Sequence, residues 1–316
     1  MLMRTTMVLT VTLNPALDRT MIVPGFREGA INRAQEIYYT PGGKGINVSR
    51  ILRQLGTSSL VFALAAGRIG LLLLDLLRQE SLEIDFMFLE RGETRINTTI
   101  LDPESGIETK INELGPWVDQ NAVEEVIRRL ATLLRPGLWV VLSGSLPPGA
   151  PEDLYARLIE RIHEQNGTVA LDTSGPPLAL GLEARPHLIK PNRVEAEGLL
   201  GHAIQNVHDG GIAAQQLARK WGCQVLLSLD RDGAVWTDGC EIWWARVPRV
   251  QIRQSVGAGD ALLGAFLHFS LQGFPPPEAL RFAAALATAV TISGEIARFR
   301  ANDMESVLAQ TGVEPL

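Results

Sequence analysis

Short, nearly uninterrupted apolar runs recur along the chain: one near 7 to 13, then WVVLSGS at 139 to 145, TVALDTS at 168 to 174, HLIKPN at 187 to 192 and QVLLSLD at 224 to 230. Runs of this length with no polar face predict parallel strands buried on both sides, and the later four end in Ser, Asp, Asn or Gly. Longer apolar stretches between and after them, such as LLLLDLL at 71 to 77 and FAAALATAV at 282 to 290, predict buried helices, with a largely helical portion from about 260 onward. The alternation predicts an α/β fold with a central, mostly parallel sheet flanked by helices. Two β-rich stretches, about 18 to 40 and 86 to 113, break the alternation and flank one helical unit. They predict a small β-sheet projecting from a single domain of residues 1 to 316 as a lid in two pieces. In open parallel sheets ligands bind beyond the carboxyl ends of the strands, where the polar run-ends collect.

Composition narrows the function. With 316 residues, 46% hydrophobic and 20% charged, the chain can bury a large core, and a net charge of -6 without a dense Lys/Arg block argues against nucleic acid as a partner. No apolar run approaches the about 20 residues of a membrane span. The apolar start MLMRTTMVLTVTLNP has no small-residue cleavage site and is read as a first strand, not a signal peptide. Cys223 and Cys240 form neither a disulfide framework nor a zinc spacing, in keeping with a reducing, cytoplasmic setting. His163, His187, His202, His208 and His268 likewise show no metal spacing. Trp236, Trp243 and Trp244 around Asp238-Gly239 predict a hairpin that packs its aromatics.

Two glycine-rich turns carry the candidate chemistry. S-V-G-A-G-D at 255 to 260 precedes the helical run ALLGAFL, so its backbone N–H groups and the helix N-terminus suit an anion. Asp260 falls in the first helical turn, where the same field favours the carboxylate as acceptor of a hydroxyl proton. P-G-G-K-G-I-N-V-S-R at 41 to 50 enters a helix through Ile46, Val48 and Ile51. Its glycines allow close backbone approach, Lys44 adds a positive charge, and Asn47 adds both donor and acceptor. The spacing is not that of a Walker A loop, and no G-x-G-x-x-G follows the first strand, which sets aside a nicotinamide-binding dehydrogenase.

Together these turns resemble the paired motifs of the ribokinase-like PfkB carbohydrate kinase family. TLNPALD at 12 to 18, GAINR at 29 to 33, TRIN at 94 to 97, TKINELGP at 109 to 116, SGSLPPG at 143 to 149, IKPNRVE at 189 to 195 and SLDRDG at 228 to 233 are similar to its 1-phosphofructokinase and tagatose-6-phosphate kinase branch. The resemblance implies a ribokinase-like sheet with a β lid and ATP-dependent phosphorylation of a hexose phosphate. Fructose 1-phosphate is the first choice, with tagatose 6-phosphate and fructose 6-phosphate behind it. It implies Asp260 as general base, with the amides of Gly257, Ala258 and Gly259 around the transferring group. Asp18, Gly43 and Asn47 would bind sugar hydroxyls; Arg95, Lys110 and Lys44 are candidates for the phosphate already on the sugar, and Ser143 for a further contact. On the nucleotide side it implies Lys190, Asn192, Ser228, Gly233 and Gly259, with Asn192 and Glu195 organising Mg²⁺ through water. In some relatives a monovalent cation lies near 287 to 296. Two departures are Ala261, where a small hydroxyl residue is usual, and R-I-G at 68 to 70, a shortened loop. A catalytically idle sugar-phosphate sensor is the rival, and dimerisation through the lid is a further expectation.

Overall fold

The computed structural model describes residues 8–316; Met7, with which the first expected strand began, and the residues before it lie outside. From β1 (Val8–Thr12) the chain passes into β2 (Ala16–Ile22) and β3 (Glu36–Gly42), then returns through α1 (Lys44–Gln54), β4 (Ser59–Ala66), α2 (Gly67–Gln79) and β5 (Glu83–Leu89). It leaves once more for β6 (Arg95–Leu101) and β7 (Glu108–Asn112). After α3 (Gln120–Leu133) strand and helix alternate: β8 (Trp139–Ser143), α4 (Leu154–Glu164), β9 (Thr168–Asp172), α5 (Pro176–Glu183), β10 (Leu188–Ile189), α6 (Arg193–Leu200), α7 (Val207–Trp221) and β11 (Gln224–Ser228). The hairpin β12 (Ala234–Thr237) and β13 (Ile242–Arg246) precedes α8 (Ala258–Leu271), α9 (Pro276–Ser293), α10 (Ala301–Leu308) and β14 (Gly312–Pro315).

The large sheet runs β14-β13-β12-β11-β10-β9-β8-β1-β4-β5. It is parallel from β11 to β5 and antiparallel across β11 to β14. The parallel strands read as continuous apolar runs because both faces are covered. Leu9 and Val11 of β1 face a core with α3, α4 and α7, whereas Val8 faces the opposite core with α1, α8 and α9. Each fully buried Val, Leu or Ile contributes about 1.5–3 kcal/mol of transfer free energy. Trp236, opposite Trp243 in the predicted hairpin, turns inward against Phe266 with ring centroids 6.4 Å apart.

The small sheet runs β3-β2-β6-β7. Alternation puts Ala16 and Asp18 of β2 beside Arg95 and Asn97 of β6 on one face, and Arg19, Thr98, Tyr39 and Ile111 on the other. One boundary differs from the sequence reading. Residues 86 to 89, expected in the small sheet, belong to β5 on the edge of the large one, paired in parallel with β4. An edge strand covered on one side alternates apolar and polar as a projecting hairpin does, so pattern alone cannot separate the two.

Helices α1 and α8 approach closely. A Cβ on Gly264 would lie 3.1 Å from Ile51 Cβ and 3.2 Å from the carbonyl oxygen of Val48. The absence of a side chain there sets the spacing of the two helix N-termini that converge on the site.

Candidate active site

A cavity of about 820 Å³ opens between the small sheet, the carboxyl ends of the large sheet and the starts of α1 and α8. That volume suits a small-molecule or cofactor site. Its two ends differ. One is polar, lined by Thr12, Asn14, Asp18, Asn47, Arg95 and Asn97; the other carries Ser228, Gly233, Asp230 and Arg231 against the apolar Val247, Val250, Ile252, Ala284 and Ala287.

Asp260 lies between these ends, at the third position of α8, and is buried. Asn47 Nδ2 donates to its Oδ2 at 2.7 Å. Burial and then the nearby Asp172 charge raise the Asp260 carboxyl to about 6, against Lys44, the Asn47 hydrogen bond and Lys190. The sequence reading expected the helix field to keep this group ionised; desolvation outweighs it. A carboxyl poised near 6 is matched to general-base work close to neutrality.

The N-cap of α8 is Gly257, with φ of 87° and no side-chain cap; Ala258 N donates to the Ser255 carbonyl at 3.4 Å, and the turn from Ser255 to Asp260 lines the cavity. A Cβ on Gly257 would stand 2.8 Å from Ala297 N, and one on Gly259 3.3 Å from Lys190 Nζ. The latter distance places the Lys190 ammonium beside the loop.

Asp172, at the end of β9 and wholly buried, joins two lysines: Lys44 Nζ at 2.8 Å and Lys190 Nζ at 3.4 Å. Burial would raise its carboxyl, but Lys190 and Lys44 hold it below the usual range. Burial alone would lower the Lys44 ammonium, yet Asp172 and Asp260 outweigh that and raise it. Lys44 thus stays charged at the centre of the cleft.

At the polar end Asn97 Nδ2 donates to Asp18 Oδ1 at 3.0 Å. Burial raises the Asp18 carboxyl despite that bond and the charges of Arg50 and Arg95. Gly42 permits this placement, since a Cβ there would sit 2.2 Å from Asp18 Oδ2. Arg95 donates through Nη2 to the carbonyl oxygen of Asn14 at 2.8 Å, and burial lowers its guanidinium against the pull of Asp18. Thr12 Oγ1, Asn14 Oδ1, Asn97 Oδ1 and Arg95 Nε are buried with no hydrogen-bond partner in the protein. Orphaned polar atoms cost about 1–3 kcal/mol each and here surround one cleft.

The cavity wall therefore unites Asp18, Gly43, Lys44, Asn47, Arg95, Lys190, Asn192, Ser228, Gly233, Gly257, Ala258, Gly259 and Asp260. Three expected residues lie elsewhere. Ser143 lies beneath the first turn of α1, where a Cβ on Gly45 would be 3.0 Å from its Oγ. Lys110 shares the cavity-facing side of the small sheet opposite Thr99, but is half-exposed and paired with Glu108 at 3.2 Å. Glu195 closes a capping box with Asn192 at the start of α6; its charge nevertheless reaches Lys44. Of the departures, Ala261 is fully buried between α1 and α8, and the N–H groups of Arg68 and Ile69 are taken by Glu93. Sequence reading missed Asp172, Asn14 and Asn97. All three stand inside stretches singled out above, Asp172 and Asn14 at or just past strand ends and Asn97 within β6, as polar residues with no local mark of what they face.

Comparison with known proteins agrees with this geometry. The description pfkB family carbohydrate kinase fits residues 11–297. The 1-phosphofructokinase of Bacillus subtilis is 34% identical over 290 residues, 92% of this chain and 94% of that protein. The D-tagatose-1-phosphate kinase of Klebsiella oxytoca is 33% identical over 310 residues, 98% and 100% of the two chains. Phosphofructokinase-2 of Escherichia coli, solved in complex with potassium, superposes with a TM-score of 0.90 at 27% identity, covering 96% of this chain and 99% of that one. A buried carboxyl, two lysines and a helix N-terminus without a side-chain cap, set where this family's motifs fall, agree with the same assignment: the chain belongs to the pfkB family of carbohydrate kinases and is an ATP-dependent sugar kinase.

Proposed function

We propose that this kinase converts fructose 1-phosphate to fructose 1,6-bisphosphate, with Asp260 as the general base. The observation that carries the reading is the contrast inside one cleft. Orphaned hydroxyl and amide oxygens, with Arg95, surround the polar end, and an uncapped helix N-terminus with Lys190 stands at the other side of Asp260. Asp18, Asn47 and the Gly43 backbone hold the sugar hydroxyls, and Arg95 takes the existing phosphate through its free donors. Asp260 accepts the proton of the attacking hydroxyl. The amides of Gly257, Ala258 and Gly259, with Lys44 and Lys190, stabilise charge on the group in transfer.

The apolar wall of Val247, Val250, Ile252, Ala284 and Ala287 fits a nucleotide base, with Ser228 and Gly233 beside it. No cluster of three or more acidic, His or Cys side chains occurs among the described residues, so a bound Mg²⁺ relies on phosphate and water ligands. Glu195 and Asn192 fit that role as acceptors, because the capping box uses Glu195 Oε2 and one lone pair of Asn192 Oδ1 and leaves Glu195 Oε1 to accept from an ion's waters. The nucleotide with Mg²⁺ supplies the phosphoryl group and neutralises its oxygens. The potassium-bound neighbour extends the reading to a monovalent cation near 287 to 296, which replacing potassium by tetramethylammonium in the assay tests. Two free cysteines, one exposed, suit a cytoplasmic setting.

The small sheet acts as a lid over the sugar, and its outward side pairs with a second copy of the chain. Ile37, Tyr39 and Ile111 are exposed there, between the open edges of β3 and β7, and the Escherichia coli neighbour has a tetrameric form. Sedimentation that finds only monomer at micromolar protein would end this part of the reading.

Release of ADP from Mg·ATP tests the substrate, with fructose 1-phosphate, tagatose 1-phosphate, fructose 6-phosphate, tagatose 6-phosphate and free fructose in parallel. The highest kcat/KM is expected for fructose 1-phosphate, rising with pH through about 6 as Asp260 ionises. Preference for a 6-phosphate would overturn the substrate and leave the mechanism standing. No turnover with any of them would favour a sugar-phosphate sensor.

A further inference from the structure

One buried cation has no part in the chemistry above. Arg50 lies one turn beyond Asn47 on α1 and is 4% exposed. Its Nε and Nη2 donate to the two carboxylate oxygens of Glu80 at 2.6 and 2.9 Å. Nη2 also donates to the carbonyl oxygen of Pro41 at 2.6 Å, and Nη1 donates to Asn47 Oδ1 at 2.7 Å. The other end of the same Asn47 amide meets Asp260 Oδ2.

An asparagine can offer either its oxygen or its nitrogen to a neighbour. A guanidinium can only donate and an ionised carboxylate can only accept. With Arg50 on one side, the amide has one compatible orientation, oxygen toward Arg50 and nitrogen toward Asp260. We propose that Arg50 is a positioning residue that fixes the orientation of Asn47, keeps its Nδ2 aimed at the base, and anchors the sugar-binding turn through the Pro41 carbonyl. The idea rests on the reading of Asp260 as base. It separates two roles within one side chain. The Glu80 side of the guanidinium ties α1 to the end of α2, whereas the Asn47 side acts on the base.

Kinetics of Arg50→Gln, Arg50→Lys and Glu80→Gln, with melting temperatures, test this. Arg50→Gln is expected to lower kcat 10- to 100-fold with the KM for ATP within threefold and the KM for the sugar raised. The acid limb of its pH profile should move to higher pH, because the lost Asn47 donation is one of the interactions that hold Asp260 down; the other charges facing Asp260, from Asp172, Lys44 and Lys190, are untouched. Arg50→Lys, which keeps a donor cation, should recover part of kcat. Glu80→Gln, which leaves an acceptor for Arg50, should lower the melting temperature while kcat stays within twofold. Folded Arg50 variants with kcat within twofold of the parent and an unmoved acid limb would overturn the proposal and leave Arg50 a structural tie. Should the glutamine variant fail to fold, Arg50→Lys decides by the same two readouts. If the parent chain turns over no sugar phosphate, the substrate reading fails by itself. A crystal structure of Arg50→Gln then decides, an Asn47 amide still directed at Asp260 counting against the proposal.

Discussion

The two glycine turns at 41 to 45 and 255 to 259 are locally alike and electrostatically opposite. Each leads into a helix whose N-cap is a glycine with positive φ, Gly43 or Gly257, and neither helix has a side-chain cap. The first places a cation, Lys44, at the first position of α1, against the helix field. It is held there by Asp172 on another strand, 2.8 Å away. The second places an anion, Asp260, at the third position of α8, where the field is favourable, yet burial and Asp172 make that carboxylate the uncomfortable group. Similar turns therefore do different jobs, and a single acid, Asp172, steadies one charge and unsettles the other.

Replacing Asp260 should break this comparison most sharply. Asp260→Asn is expected to lower kcat by about 10²–10⁴-fold with nucleotide binding retained, checked by single-turnover kinetics and calorimetry. A near-parental rate would remove Asp260 from the chemistry.

The same variant should be more stable at neutral pH. Burial and the Asp172 charge push the Asp260 carboxyl up from its ordinary 3.8 to about 6 in the folded chain. Between those values the folded chain holds more protons, so stability falls as pH rises, and the whole loss is present above about pH 7. At 1.4 kcal/mol per pKa unit, it is about 3 kcal/mol at most. Thermal melts should place Asp260→Asn above the parent at pH 7, with the difference closing below pH 4. Equal melting at pH 7 would mean that the carboxylate is not strained.

A smaller effect is expected at the other feature of this turn. Gly257→Ala puts a Cβ into a left-handed position and 2.8 Å from Ala297 N. Expected is a loss of about 1–3 kcal/mol in stability and a higher KM for ATP, read by melts and steady-state kinetics. Unchanged values for both would mean the loop is not held as described.

How far the sequence foretold this site differs with the kind of residue. That Asp260, Gly257, Lys44 and Asn47 line one cavity was legible because the glycine turns and the side chains they place lie within a few residues of each other. The buried parallel strands were legible too, since runs such as QVLLSLD have no polar face to hide. Asp172 was not, because its partners lie 128 and 18 residues away and only strand order brings the ends of β9 and β10 to the start of α1. Arg50 closes the glycine motif in the sequence, but its burial depends on Glu80 at the end of α2, which nothing local announces. Ser143 and β5 show the converse. Strand-end polarity and β-alternation were real, but which layer would cover them was a tertiary matter.

The close seat of α8 on α1 at Gly264 bears on how the enzyme comes into being. Asn47 and Asp260 are 213 residues apart in the chain, and their contact exists only once these helices have docked. Long-range contacts of this kind form late, because the loop between them must close first. A ribosome that has released β1 through β11 has made Lys44, Asp172 and Lys190 but neither Asp260 nor the amides of the 255 to 259 turn. The nascent chain can thus form most of its sheet before the contact between Asn47 and Asp260, and with it the closed wall of the cavity, can exist.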